Sequence, residues 1–170
     1  MRSLAEAKAF ASTFEIFEIP SLRIIGLEAR CGGELGNTAP ALWGNVFQSS
    51  AEDTFLALPR WKSDCMFGWH CDYDAETDTF VYMVCVLSPA GAEVPPGFSF
   101  RDIPATQVAL GLYGEHSENT MSRAPALGIE AKGTPYGWHA ELYFRKEEAN
   151  PPKSVKTPWR WLVPVKPMDT

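Results

Sequence analysis

The sequence predicts an α+β domain written twice, each half a βαββ unit. Three observations carry that prediction: an internal echo 84 residues apart, strand-like segments in the same order in both halves, and one clear amphipathic helix. The echo is Phe14-Glu15-Ile16-Phe17-Glu18-Ile19-Pro20 against Phe98-Ser99-Phe100-Arg101-Asp102-Ile103-Pro104. Aromatic, apolar, acidic, Ile and Pro positions keep their order, and a fixed offset of this kind is the mark of a repeated structural unit. A second echo closes each half. Tyr82-Met83-Val84-Cys85-Val86 matches Trp161-Leu162-Val163-Pro164-Val165 at alternate positions, which share one face of a sheet.

The elements follow in chain order. Each opening echo runs into a segment rich in Ile, Val, Leu or Tyr, Leu22–Ala29 and Thr106–Tyr113, and such residues favour strands. Ala39–Ser49 carries Leu42, Trp43, Val46 and Phe47 in an i, i+1, i+4, i+5 stripe, predicting a helix. Asn37 or Thr38 can cap it, and Pro40 is tolerated in a first turn. Met66–Tyr73 and Thr79–Leu87 predict a hairpin across the polar turn Asp74–Asp78. In the second half His139–Arg145 and Trp159–Lys166 predict the matching strands, joined by a polar loop containing Asn150-Pro151-Pro152. The second helix is expected between Ser117 and Lys132, short or bent because Pro125 and Gly128 interrupt it. The repeats thus run over about 14–88 and 98–166 of a single 170-residue domain, with the two-proline segment 89–97 as linker.

Composition fits that domain and narrows its partners. Hydrophobic residues make up 45% and charged residues 21%, an ordinary globular balance. The formal net charge of -6, without a basic run, argues against direct nucleic-acid binding, which needs clustered Lys and Arg on phosphates. The N-terminus lacks the apolar core of a secretory signal, and Phe80–Leu87 is too short to span a bilayer, so no membrane role and a cytoplasmic address are expected. Cys31, Cys65, Cys71 and Cys85 are then read as reduced, structural thiols. His70 beside Cys71 has no zinc-ligand spacing, so no metal and no cofactor are expected.

Several short motifs together resemble the GyrI-like effector-binding domains, the small-molecule-binding family found in AraC-type regulators. Leu42-Trp43 with Phe47 resembles the family's first helix, and Phe67-Gly68, Asp72-Tyr73, Phe80 and Tyr82 resemble its hairpin. Val94-Pro95, Gly97-Phe98 and Ile103-Pro104 resemble the bridge between halves. Glu141-Leu142-Tyr143 and Trp161 with Pro164-Val165 resemble its closing strands. The departure is Lys132-Gly133-Thr134-Pro135-Tyr136, where the family carries a regular helix and a longer motif. The resemblance implies an antiparallel sheet of two SHS2-type βαββ units related by a pseudo-twofold axis. Helices pack on one side and a central cleft receives hydrophobic, often cationic, aromatic molecules, multidrug ligands among them.

Within such a cleft Glu141 becomes the key residue. On a strand it shares a face with His139 and Tyr143, and a carboxylate among aromatics is costly to bury without compensation. A strand Glu is ordinarily solvent-facing or paired with a basic residue; in the place of the family's E.Y pair, a cationic ligand supplies the compensation. Trp43, Phe47, Tyr82, Tyr113, Tyr143 and Trp161 are the candidate aromatic walls, each good cation–π contact adding about 0.5–2 kcal/mol. His70 and His139 are assigned to structure. The expected function is a stand-alone sensor or sequestering protein for a lipophilic organic cation rather than an enzyme. The alternatives are hydrolysis of a strained cyclopropane-bearing electrophile, with Glu141 and a tyrosine as acid–base groups, and a gyrase-protecting interaction. The sequence specifies neither a homodimer nor a partner regulator.

Overall fold

The computed structural model describes residues 15–61, 65–111, 129–131, 137–143 and 159–167. The chain enters through β1 (Glu15–Ile19) and β2 (Leu22–Gly32), a 3-10 turn (Gly33–Leu35), and helices α1 (Ala39–Gln48) and α2 (Ala51–Ala57). The hairpin β3 (Met66–Asp74) and β4 (Thr79–Pro89) follows. The second half contributes β5 (Ser99–Ile103), β6 (Thr106–Leu110), β7 (Ile129–Ala131), β8 (His139–Tyr143) and β9 (Trp159–Pro167). The fold is α+β. No helix among the described residues is long and apolar enough to cross a membrane.

Local chemistry accounts for the ends of these elements. At α1 the Asn37 side-chain oxygen accepts the Ala39 amide at 3.2 Å, while Thr38 donates its hydroxyl to the Arg30 carbonyl at 2.6 Å. Asn37 satisfies the first helical amide from the position before the N-cap, and the N-cap Thr38 ties the helix to β2 without a side-chain capping bond. Helix α2, which the sequence pattern did not announce, starts where Ser49 Oγ accepts the Ala51 amide at 3.2 Å, with Glu52 and Asp53 favourably placed in its first turn. The β3–β4 turn is held by Asp74, which accepts the Glu76 amide at 3.0 Å and the Thr77 hydroxyl at 2.8 Å.

The strands form one antiparallel sheet in the order β1-β6-β9-β8-β3-β4-β2-β5, with β7 also on β9. That order reads the same from either edge when β1–β4 are exchanged with β5, β6, β8 and β9. The echoed segments are themselves strands, and each closes the other half: β1 pairs with β6 and β5 with β2. The first half is therefore a βαββ unit with a leading strand and an extra helical turn pair. In the second half, Ile129–Ala131 pairs with β9 instead of continuing the helix expected up to Lys132. The rest of that expected helix, Tyr113, the 132–136 segment and the Asn150-Pro151-Pro152 loop lie outside the described residues.

Strand alternation sorts the core onto two faces. Phe67, Trp69, Val81, Met83, Cys85, Ala140, Leu142 and Leu162 bury together on one. Leu42, Val46 and Phe55 from the helices pack with Ile25, Tyr82, Val84 and Val86 on the other. Phe55 is fully buried and meets Phe98 edge-on at 5.1 Å, a pair that fixes α2 against the segment between the halves. All four cysteines are buried. Cys71 has its thiol pushed up to about 12, first by burial and then by Asp72, so it stays protonated.

Candidate functional site

The centre of the sheet is the junction of β3 and β8, where Gly68 lies opposite Glu141. On the helix-bearing face this places His70, Tyr82, His139, Glu141 and Tyr143 side by side, because His70 pairs with both Tyr82 and His139. Gly68 is what makes the convergence possible. A Cβ there would lie 2.6 Å from Glu141 Oε2 and would overlap the Tyr82 hydroxyl.

Helix α1 covers part of this face and leaves an open cleft of about 420 Å³. Ala39, Pro40 and Trp43 form its helical wall, Cys31 and Asn37 its rim, and His70, Phe80, Tyr82, Glu141 and Tyr143 its floor. Trp43 Nε1 donates to the Tyr82 hydroxyl at 2.9 Å, and Tyr82 donates to Glu141 Oε2 at 2.8 Å. Tyr143 donates to the same oxygen at 2.7 Å and meets the Trp43 ring edge-on at 4.9 Å. Glu141 is only 16% exposed, and among the described residues no Lys or Arg pairs with it. Its other oxygen, Oε1, is 3.8 Å from His70 Nε2, too long for a hydrogen bond.

These contacts set the protonation states. Burial alone would raise Glu141, but His70 and the hydroxyls of Tyr143 and Tyr82 outweigh it and hold the carboxyl below its ordinary value. At 3.8 Å from His70, the two short hydroxyl bonds are the firmer cause. The phenols move the other way, both raised by burial and then by the Glu141 charge. The floor therefore holds one carboxylate and two neutral donors at neutral pH.

Of the seven expected ligand residues, Trp43, Tyr82, Glu141 and Tyr143 line the cleft. Phe47 stacks on Trp43 at 5.8 Å but is 56% exposed, one turn beyond the lining. Trp161 is buried beside the floor, on the same face as its β9–β8 partner Glu141 and 5.0 Å from the His139 ring, but does not line the cleft. Tyr113 lies outside the described residues. His70, assigned to structure from sequence, lines the cleft and stacks between Phe80 (5.0 Å) and His139 (4.6 Å). Its strand parity with Gly68 was readable, but its place on the floor depends on the β3–β8 pairing.

His139 supplies a pH prediction. Burial first, then His70, lowers it to about 4, with Glu141 opposing. A histidine neutral when folded and titrating at about 6.5 when unfolded stabilises fully above that value. The stabilisation is lost as pH falls towards 4, by roughly 3 kcal/mol in all. Glu141, depressed below an ordinary carboxylate, loses its own contribution only at still lower pH than about 4.3. Urea unfolding should therefore show stability falling between about pH 6.5 and 4.5 in wild type and a flatter profile in His139→Phe. Parallel profiles would rule out His139 as the cause.

The comparisons agree with this architecture. Residues 12–158 match the GyrI-like small molecule binding domain family. No curated protein matches the chain. Among solved structures, a candidate bacterial transcription regulation protein from Staphylococcus aureus MU50 superposes with a TM-score of 0.59 at 10% identity, covering 91% of this chain and 99% of that one. SAV2435 bound to tetraphenylphosphonium gives 0.58 at 10% identity, covering 91% and 94%. The EcmrR C-terminal domain gives 0.51 at 14% identity, covering 92% and 98%. At these identities the likeness is one of fold. The family match spans most of the sequence, and the chain belongs to the GyrI-like small-molecule-binding family.

Proposed function

We propose that this GyrI-like domain binds a lipophilic, cationic aromatic molecule in the cleft over Glu141, as a sensor or sequestering protein. The observation that carries the proposal is the charge at the floor: a mostly buried carboxylate, kept ionised by two tyrosine hydroxyls, with no Lys or Arg partner among the described residues. Hydroxyls stabilise such a charge without neutralising it, so an entering cation gains its full attraction in a poorly solvated place. Trp43 and Tyr143 offer ring surface beside it, with Phe47 at the mouth and Trp161 flanking the floor against the His139 ring. The tetraphenylphosphonium held by SAV2435 is a ligand of this chemical type and supports the reading. The two-fold strand order supports reading residues 14–88 and 98–166 as two copies of one unit around that cleft.

Hydrolysis draws less support from the same groups. A base held below the ordinary carboxylate range and acids raised above the ordinary phenol range are poorly matched to proton transfer near neutrality.

Tryptophan fluorescence titration with a panel of lipophilic cations and neutral aromatics of similar size tests the proposal. Cations should quench saturably at micromolar concentration, much of the signal coming from Trp43 and disappearing in Trp43→Phe. Equal binding of the neutral set would remove the charge argument. A silent panel would sink the proposal.

A further inference from the structure

The floor of the cleft carries two neighbouring polar atoms that take no hydrogen bond from the described residues. Glu141 Oε2 is taken by the hydroxyls of Tyr82 and Tyr143, whereas Oε1 accepts no hydrogen bond from the described residues. His70 Nε2 is buried and has no hydrogen-bond partner among the described residues. The two atoms are 3.8 Å apart, and both residues line the cleft. The imidazole cannot turn away easily, being stacked between Phe80 and His139 and edge-on to Tyr82.

We infer that this pair selects cations bearing at least two N–H bonds, primary or secondary ammonium, amidinium or guanidinium groups, over quaternary cations. One N–H goes to Glu141 Oε1 and the second to His70 Nε2. A nitrogen about 2.9 Å from each atom sees them roughly 80° apart across the 3.8 Å gap. That is close enough to the tetrahedral angle for two slightly bent hydrogen bonds. A charge-assisted bond to the carboxylate is the strong member of the two. A quaternary nitrogen or phosphonium has only carbon around its charge. It keeps the Coulomb and ring contacts but seals both acceptors from water without giving either a donor, a cost that falls on binding. The inference rests on the proposal that the cleft takes a cation, and adds which cation.

The test is calorimetric titration at about pH 8, where an aliphatic amine is still charged. The probes are N-methyl-(naphthylmethyl)ammonium and trimethyl(naphthylmethyl)ammonium, which share ring and charge and differ in N–H bonds. Wild type should bind the secondary ammonium about tenfold tighter or better. In His70→Phe, which keeps a stacking ring and removes the acceptor, the ratio should fall to about threefold or less, with near-ultraviolet circular dichroism reporting an intact fold. Equal affinities in wild type, or tighter binding of the quaternary probe, would overturn the selectivity and leave the cation site standing. An undiminished ratio in His70→Phe would overturn the role of His70. Binding of neither probe would count against the cation site itself.

Discussion

Glu141→Gln should weaken binding of a lipophilic aromatic cation about ten- to a hundredfold, or about 1.4 to 2.8 kcal/mol, while leaving neutral aromatics of the same size unaffected. The substitution keeps the shape of the side chain, its place opposite Gly68, and an oxygen able to accept from Tyr82 or Tyr143. What it removes is the charge. Since the folded protein holds the Glu141 carboxyl below its ordinary value, the unliganded mutant should lose only the small stability that this shift contributes at neutral pH. Affinity down with stability nearly level is the signature of a group held for a ligand. Stability down by several kcal/mol with affinity unchanged would mean that Glu141 belongs to the architecture instead.

The second large effect separates two buried glycines. At Gly26, on β2 opposite Cys85, an added Cβ would overlap the Val84 carbonyl and lie 2.6 Å from Cys85 Cβ and 2.8 Å from its Cα. Those atoms belong to the β4 backbone or sit next to it, and they cannot move without parting the β2–β4 ladder. Gly26→Ala should cost about 3 kcal/mol or more, read as a lower urea midpoint at unchanged slope. At Gly68 the obstacles are the ends of two side chains, Glu141 Oε2 and the Tyr82 hydroxyl. Those ends can swing aside, so Gly68→Ala should cost less than about 1.5 kcal/mol. It should nevertheless disrupt the hydroxyl–carboxylate cluster and lower cation affinity at least about tenfold. Similar stability losses in the two variants would contradict the assignment of Gly68 to the site.

The contrast also marks what sequence could and could not convey. Period-two alternation placed Glu141 with His139 and Tyr143, and it separated His70 from Cys71, before any pairing was known. The aliphatic half of the α1 stripe, Leu42 and Val46, packs on the sheet as its spacing implies. Its aromatic half divides, Trp43 reaching Tyr82 while Phe47 stays mostly exposed one turn later. Spacing along a helix cannot tell those two apart, because the cleft ends between them. Gly68 is legible as a glycine in a strand but acquires its meaning from residue 141, which reaches it through the β3–β8 register. A shift of pairing between Cys71 and Asp74 further obscures that register within the hairpin. Helix α2 is not legible in the sequence, because a seven-residue helix with two buried positions, Ala51 and Phe55, leaves almost no periodicity to read. The edge strands were seen as an echo and not as strands, since their partners lie in the opposite half.

The most direct measurement is an experimental structure of the protein with the tightest-binding cation of the panel. The cation should lie in the cleft against Trp43 and Tyr143, its charged centre within about 6 Å of a ring centroid and facing the Glu141 carboxylate. A cation seated elsewhere, with the cleft unchanged and Glu141 still bound only by its two tyrosines, would contradict the account.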